Sequence, residues 1–207
     1  MVTEIRLYIE GGGDGKNTKA LIREGFTGFL KALVEIAYSK KIGWKIIMCG
    51  SRNDAFRDFK TALKANPDAF NVLLVDSEAP VIEPPWKHLK SRDNWDSPGV
   101  DDTHCHLMVQ TMEAWFIADI DTLKNFYGQG FRENSISKNQ DVEKIDKDSL
   151  ERSLKEATRN TKSKGEYQKI QHASALLKQL NATKVRQASH YCDRLFTTVA
   201  QIMGETI

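Results

Sequence analysis

The sequence predicts an α/β protein with a central, mainly parallel sheet of four strands, helices on its faces and a helical C-terminal cap. Short apolar segments alternate with longer ones in which apolar residues recur every three or four positions, the period of a helix packed on one side. Helices between strands favour parallel pairing, because each helix returns the chain to the same edge of the sheet. Residues 72–75 are apolar throughout, as expected of a central parallel strand covered on both faces.

The first half of the chain supplies three strands and two helices. In chain order the predicted ranges are 5–9 (strand), 18–38 (helix), 44–48 (strand), 51–63 (helix) and 72–75 (strand). Ser51 or Asn53 caps the second helix, since either side chain can accept a hydrogen bond from a free backbone N–H group. Gly25 and Gly28 weaken the first helix, so we expect them to allow close contact with a neighbouring strand.

The second half adds one strand and several helices after a long segment rich in proline. Residues 79–102 are predicted to be a loop, and loops of this length are often functional. The ranges that follow are 103–110 (strand) and 112–126, 149–158, 167–180 and 191–203 (helices). We expect residues 1–130 to form the α/β core and residues 131–207 to form a basic helical extension packed on it.

The composition is that of an ordinary globular protein. The 207 residues suffice for one domain with a sizeable core, and the formal net charge of +2 is too small to indicate nucleic acid by itself. No apolar run approaches the ~20 residues that span a bilayer, and no opening segment has the pattern of a signal peptide. Three scattered cysteines favour a reduced protein over a disulfide framework. We therefore expect a cytoplasmic protein without a membrane partner.

A glycine-rich turn, Glu10-Gly11-Gly12-Gly13-Asp14-Gly15, follows the first strand. A Walker-type phosphate loop needs glycine, four residues and then Gly-Lys-Ser/Thr. Here the first glycine would fall on Glu10 and the Ser/Thr position on Asn17, so the pattern fails twice. The dinucleotide fingerprint fails as well, because Lys16 stands at its last glycine. The glycines are therefore predicted to turn the backbone tightly around Glu10.

Two acidic residues, Asp76 and Glu78, follow the third strand. Residues two apart in an extended turn can face the same way, and Glu10 ends another strand of the same sheet. Clustered carboxylates repel one another unless a cation lies between them, and oxygen ligands of this kind suit Mg²⁺ or Mn²⁺. The sequence therefore predicts a divalent metal site on Glu10, Asp76 and Glu78, with a solvated acidic turn as the alternative.

These motifs resemble the Toprim domain of topoisomerases, primases and OLD-type nucleases. The resemblance runs from about residue 3 to residue 126: a strand ends in Glu10-Gly11, two crossovers follow, and the third strand ends in Asp76-Ser77-Glu78. Glu78 stands where that domain usually has a second aspartate. Asp14 resembles the extra acid of the OLD-type variant, which implies a two-metal nuclease with Asp14 as a further ligand.

A narrower similarity covers nearly the whole chain. Its motifs are residues 10–14, Met112-Glu113-Ala114-Trp115 with Ala118-Asp119, and residues 184–189. They are similar to RloB-like proteins, small bacterial relatives of Toprim proteins that are often encoded beside an AAA- or ABC-type ATPase in phage-defence contexts. The similarity implies such an ATPase partner.

Further site residues come from the second half of the chain. Glu113 and Asp119 face different directions if they share a helix; we favour Glu113 as a metal ligand, while stabilisation of the helix N-terminus is an equal alternative. Lys169 or Lys164 can lie near a scissile phosphate if the cap folds over the sheet, and Lys169 is our catalytic candidate. The residues expected to contact nucleic acid are Lys162, Lys164, Lys184 and Arg186, although each lysine taken singly can also belong to a solvated face.

The resulting hypothesis is a metal-dependent nuclease that cleaves DNA or RNA as the effector of a phage-defence system. Glu10, Asp76, Glu78 and Lys169 form its predicted catalytic set. Two alternatives stay open: a non-catalytic regulatory or recognition subunit of an ATPase complex, and nucleotidyl transfer with the same metals. The sequence also leaves a homodimer open.

Overall fold

A single four-stranded parallel sheet forms the centre of the computed structural model, which describes residues 2–13 and 15–207. Its strands are β1 (Glu4–Glu10), β2 (Gly43–Gly50), β3 (Ala69–Asp76) and β4 (Cys105–Met108). They lie in the order β2-β1-β3-β4, and every adjacent pair is parallel. The predicted α/β class and parallel sheet are confirmed, and the order of elements is the one that the Toprim resemblance implies.

Helices cover both faces of the sheet. They are α1 (Lys16–Phe29), α2 (Lys31–Ser39), α3 (Arg52–Ala65), α4 (Pro85–Asp93), α5 (Glu113–Ile117), α6 (Ile120–Tyr127), α7 (Lys147–Thr158), α8 (Lys169–Gln179), α9 (Ala182–Ala188) and α10 (His190–Ile202). Side chains alternate along β3, so Val72 and Leu74 face one core while Leu73 and Val75 face the other. The first core packs against α1, α2 and the C-terminal helices, and the second packs against α3 and α4.

The sheet has a topological switch point between β1 and β3. The helix after β1 lies on one face, and the helix after β3 lies on the other, although the two strands are neighbours. The chain therefore separates at their carboxyl ends and leaves a crevice, which is where open α/β sheets bind ligands. Glu10 and Asp76 are the last residues of these two strands.

Two of the predicted helices are in fact divided. The range 18–38 becomes α1 and α2, because the chain bends at Leu30 and so buries both Leu30 and Leu33 completely. The range 112–126 becomes α5 and α6, because Asp119 accepts a hydrogen bond from the backbone N–H of Thr122 and caps a new helix there. The second helix begins as predicted, with Ser51 as its cap.

Two further expectations are wrong. Residues 79–102 are not a continuous loop, because they contain helix α4. Pro85 lies in the first turn of that helix, where proline is favoured. Trp86 and Leu89 of the same helix are buried. Gly25 and Gly28 face helix α8 and not a strand. A Cβ atom at Gly25 would lie 2.7 Å from the backbone oxygen of Ser174, so glycine is needed for the two helices to touch.

The predicted helix 167–180 begins at Lys169 and packs along α1 as α8. Helix α9, which carries Lys184 and Arg186, was not predicted as an element. Over residues 2–13 and 15–207, none of the helices is both long enough and apolar enough to cross a membrane.

Candidate metal centre

Three carboxylates meet at the switch point of the sheet. Glu10 ends β1, Asp76 ends β3, and Glu78 follows two residues later with a φ of +62° that turns its side chain back toward the strand ends. One oxygen from each carboxylate lies within 4.8 Å of the others. Glu10 and Glu78 are partly exposed, whereas Asp76 is buried, so solvent reaches the group mainly at the two glutamates.

In each of these carboxylates, one oxygen accepts a hydrogen bond from the backbone or from a lysine. Asp76 Oδ1 accepts a 2.8 Å hydrogen bond from the Met112 backbone N–H, and Glu10 Oε2 accepts one of 3.2 Å from the Asp76 backbone N–H. Glu78 Oε2 lies 2.7 Å from Lys147 Nζ. Glu10 Oε1, Asp76 Oδ2 and Glu78 Oε1 accept no hydrogen bond from any residue that the structure describes. Three held carboxylates that meet at one place thus each keep an oxygen that accepts no hydrogen bond within the described chain, and carboxylate oxygens are hard donors that fit Mg²⁺ or Mn²⁺.

Arg52 holds Glu10 in place. Its Nη1 lies 3.2 Å from Glu10 Oε2 and also donates to the backbone oxygen of Asp76. The other side of its guanidinium forms two bonds to Asp93, of 3.0 and 2.7 Å, and the group stacks 5.1 Å from the ring of Trp95. A guanidinium fixed on both edges and one face leaves the Glu10 carboxylate little freedom.

Lys169 joins Asp76 to Glu113 on the other side of the site. Its Nζ lies 3.7 Å from Asp76 Oδ2 and 3.2 Å from Glu113 Oε1. Glu113 is buried at the start of α5 and accepts a 2.9 Å hydrogen bond from the Tyr167 hydroxyl. Glu113 therefore contacts Lys169, which in turn contacts Asp76. It is not one of the three carboxylates that lie within 4.8 Å of one another.

Burial raises the pKa values of the three acids, and the neighbouring cations lower them. Burial raises the pKa of Asp76 to about 7; Lys169 opposes that rise and Glu113 adds to it. Burial also raises the pKa of Glu10, against the opposing charge of Arg52. At Glu78 burial has the same tendency, but Lys147, Arg92 and Arg52 together outweigh it, and the pKa of Glu78 is lowered. Asp76 is therefore the carboxylate least stable in its charged form without a further cation.

Two cavities meet at Asp76 and Lys169, which line both of them. The apolar cavity has a volume of about 200 Å³ and is walled mainly by Leu21, Ile22, Met108, Met112, Ile170 and Ala173. The polar cleft has a volume of about 540 Å³ and includes Glu78, Glu113, Lys147, Glu151, Lys155 and Tyr167. The open carboxylate oxygens thus lie between an apolar space and a charged one.

The structure does not bring the other predicted residues to this place. Asp14 lies outside the described residues. Lys184 forms ion pairs of 3.1 Å with Asp119 and 2.6 Å with Asp121, so Asp119 has a capping and pairing role of its own. The four residues expected to contact nucleic acid, namely Lys162, Lys164, Lys184 and Arg186, line neither the apolar cavity nor the polar cleft as the described chain forms them.

Sequence reasoning missed Arg52, Lys147 and Tyr167. Arg52 had a usable signal, because it follows the end of β2 and the carboxyl ends of parallel strands share one edge of a sheet. Lys147 and Tyr167 had none, since they reach Glu78 and Glu113 from positions 69 and 54 residues away.

Comparison with known proteins identifies the family. No curated protein matches the chain. Two solved structures of the C-terminal region of the Xanthomonas campestris pv. campestris OLD protein are similar to it. The one phased with iodine has 15% identity, a TM-score of 0.46 and 99% coverage of both chains. The one phased with platinum has 16% identity, a TM-score of 0.41 and coverage of 98% of this chain and 96% of that one. The family model described as "Domain of unknown function (DUF4276)" matches residues 9–200, and the chain therefore belongs to the DUF4276 family.

Proposed function

We propose that this protein is a nuclease that hydrolyses phosphodiester bonds with one or two Mg²⁺ or Mn²⁺ ions bound by Glu10, Asp76 and Glu78. The observation that carries the proposal is the convergence of three carboxylates, each with an open oxygen, within 4.8 Å at the switch point of the sheet. The resemblance of the same motifs to Toprim nucleases supports it. Glu113, turned toward Lys169, then has a supporting role rather than that of a ligand.

The residues around the carboxylates suit this chemistry. A bound divalent ion would supply positive charge to the phosphate and lower the pKa of a coordinated water. Lys169 carries a second positive charge beside Asp76, where it can offset the charge that develops on a phosphate. Glu113 and the hydroxyl of Tyr167 hold that lysine in place, and Arg52 fixes the direction of Glu10.

The proposal includes a nucleic acid substrate, DNA or RNA, and an AAA- or ABC-type ATPase partner in phage defence. Both extensions rest on the similarity of residues 10–14, 112–119 and 184–189 to RloB-like proteins. Lys147, Lys155 and Lys169 line the polar cleft beside six acids, so a phosphate backbone would be held there by these lysines together with divalent cations on the acids. Pull-down with an AAA- or ABC-type ATPase would test the proposed partner separately from the chemistry.

A non-catalytic role is the second candidate, and one observation favours it. Every acid of the centre already has a basic partner: Glu10 has Arg52, Asp76 has Lys169, and Glu78 has Lys147. Such a network can be purely structural, joining β1, β3, α7 and α8 without any metal. A protein that is inert toward nucleic acid and copurifies with an ATPase would support this candidate.

The deciding experiment is a cleavage assay with single-stranded DNA, duplex DNA and RNA in Mg²⁺, Mn²⁺ or chelator. We expect cutting that needs the metal and that falls in Glu10→Gln and Asp76→Asn by more than the ~10–100-fold typical of residues that only support a ligand. Asp96→Asn is the matched control, since Asp96 is an exposed acid that pairs with Lys90 and lines neither the apolar cavity nor the polar cleft as the described chain forms them. Cutting that survives the combined Glu10→Gln and Asp76→Asn change would refute the assignment.

A further inference from the structure

The apolar cavity beside the carboxylates has the form of a binding site for part of a ligand. Six apolar side chains wall it, and Glu10, Asp76 and Lys169 close one end. Its volume of about 200 Å³ is below the ~300–1,000 Å³ of sites for drug-sized molecules. The space therefore suits a single ring system whose polar or charged continuation reaches the carboxylates.

Exposed apolar residues mark the mouth of the cavity. Leu21 has 52% of its surface exposed and Ile170 has 73%, which puts them among the few large apolar residues of the described chain that face solvent. Both line this one cavity, from opposite walls on α1 and α8. Apolar groups gathered at the opening of a concave site indicate a ligand that covers them.

The walls of the cavity are formed before any ligand binds. Helices α1 and α8 meet through Gly25, and the Ser174 hydroxyl donates a hydrogen bond to the Leu21 backbone oxygen. On the floor Gly12 has a φ of +85°, and a Cβ atom there would lie 3.0 Å from the Ile22 side chain. A preformed cavity binds its ligand without the entropic cost of ordering its walls.

We propose that the apolar cavity binds one nucleobase of the nucleic acid strand, and so places the adjoining phosphate between Asp76 and Lys169. This inference rests on the proposed nuclease function and names how that site positions its substrate. A nucleotide has the required chemistry, because a flat ring whose two faces pack on apolar groups is joined to an anion within one residue, and Thr18, Ser174 and the glycine backbone of the lining can meet its polar edge. The positive charge of Lys169, together with a metal on the carboxylates, complements that anion at the closed end of the cavity.

The polar cleft gives the rest of the strand a path. It shares Asp76 and Lys169 with the apolar cavity, and its lining carries six acids and three lysines, namely Lys147, Lys155 and Lys169. A strand that unstacks one base into the apolar cavity would therefore continue along the cleft only with divalent cations on those acids, its phosphates near the lysines. Unstacked bases are available at little cost in single strands and loops.

The test is a binding measurement that separates base from backbone. Fluorescence anisotropy would compare short single-stranded DNA and RNA oligonucleotides with counterparts of equal length that lack all bases, in Ca²⁺ so that no cutting occurs. Burial of one base predicts that the natural strand binds at least about tenfold more tightly, equivalent to ~1.4 kcal/mol. Because the comparison is a ratio, a general change in phosphate or metal affinity cancels.

Variants of the cavity mouth locate the effect. Leu21→Ser and Ile170→Ser replace exposed side chains, so folding is unaffected, and each should bring the ratio close to one. Ala173→Leu, which fills the buried wall, should do the same. Gln171→Leu is the matched control, because it adds an apolar side chain to the exposed surface of the same helix outside the cavity, and it should keep the wild-type ratio.

Two results would overturn the inference while the proposed function stands: a wild-type ratio near one with metal-dependent cutting intact, or a large ratio that survives Leu21→Ser, Ile170→Ser and Ala173→Leu. A protein that neither binds nor cuts any of the strands would overturn the proposed function and this inference together.

Discussion

At Asp76, burial disfavours the charged carboxylate more strongly than the neighbouring Lys169 favours it. The Asp76 side chain is 8% exposed, its pKa is raised to about 7, and its ion-pair partner, Lys169, is shared with Glu113. A structural ion pair would normally lower the pKa of its acid. A carboxylate kept partly uncompensated at the end of a strand is instead typical of a site that awaits another cation.

Replacement of Asp76 by asparagine should therefore stabilise the metal-free protein at high pH. Between the unfolded pKa of ~3.9 and the folded value of about 7, the folded state holds a proton that the unfolded state has lost. This contribution to stability is thus greatest at low pH and falls as pH rises toward 7. The amide of the variant cannot titrate, so the excess of its Tm over that of wild type in chelator should be much larger at pH 8 than at pH 5.

The size of this effect can be read from thermal melts at several pH values. Each 1 kcal/mol corresponds to about 2–4 °C in Tm for a chain of this length. Mn²⁺ should raise the Tm of wild type at pH 8 and leave that of Asp76→Asn unchanged. A variant that melts below wild type at pH 8 in chelator would contradict the raised pKa of Asp76.

Lys169 occupies an unfavourable position for a lysine. It is the first residue of α8, where the helix dipole disfavours positive charge by ~0.3–1 kcal/mol. Asp76 and Glu113 offset that cost and, although burial acts the other way, raise the pKa of Lys169. A charge kept there against the dipole suggests a role at the site.

Lys169→Met should reduce cleavage strongly without weakening metal binding. The expected fall in kcat is about 10²–10³-fold, the usual effect of removing one group that stabilises charge in the transition state. Metal affinity, measured by calorimetry, should stay equal or increase, because a competing cation has left Asp76. Lys31→Met is the matched control, since Lys31 is an exposed lysine that pairs with Glu35 and lines neither the apolar cavity nor the polar cleft as the described chain forms them. Equal losses in metal affinity and rate would instead make Lys169 a residue that only positions the ligands.

A site residue could be predicted from the sequence when it directly ends a strand, and could not when a long side chain brings it in from a distant element. Glu10 and Asp76 could be predicted because each directly ends a strand, and the strand ends of a parallel sheet converge. Lys147 reaches Glu78 across 69 residues and Tyr167 reaches Glu113 across 54. Contacts of long side chains between elements distant in sequence depend on helix packing, which one sequence does not reveal.

Among the elements, the pair α1 and α8 has the most influence on the site. These helices form the two walls of the apolar cavity, and α8 carries Lys169 at its start. The existence of both could be predicted from their apolar periodicity. Their mutual contact could not, because Gly25 and Gly28 indicate a close approach without identifying the partner. Helix α4 was missed for a related reason, since proline both breaks a helix and begins one.

Gly25→Ala should destabilise the protein although alanine favours a helix by ~1 kcal/mol. The added Cβ would lie 2.7 Å from the backbone oxygen of Ser174 and 3.0 Å from its Cα atom, and backbone atoms cannot yield as a flexible side chain can. We expect a net loss of about 1–3 kcal/mol, measured by urea unfolding. Glu24→Ala, at the exposed neighbouring position of the same helix, should change stability by less than ~0.5 kcal/mol. A neutral Gly25→Ala variant would contradict the close contact of the two helices.

At the scale of the whole molecule, the first core extends from the sheet into the C-terminal helices. Trp115 is fully buried and stacks on Phe29 at 4.9 Å, while Phe196 of α10 packs against the same Phe29 at 5.6 Å. Apolar residues of α7, α8 and α10 belong to this same core, among them Leu150, Leu154, Leu176, Leu177, Leu195 and Val199. The boundary proposed near residue 130 therefore separates two parts that share one core.

A chain truncated after residue 130 should fail to form a stable fold. It would expose the apolar face of α1 and α2, with Phe29 and Leu33, and at ~25 cal/mol per Å² the lost burial exceeds the marginal stability of a domain. We expect no cooperative thermal transition by near-UV circular dichroism, together with binding of a hydrophobic dye. Removal of residues 205–207 alone, which are exposed, should leave the transition nearly unchanged. A cooperative transition in the 1–130 fragment would instead establish the sheet as an independent domain, and the C-terminal helices would then be an attachment whose main contribution to the site is Lys169.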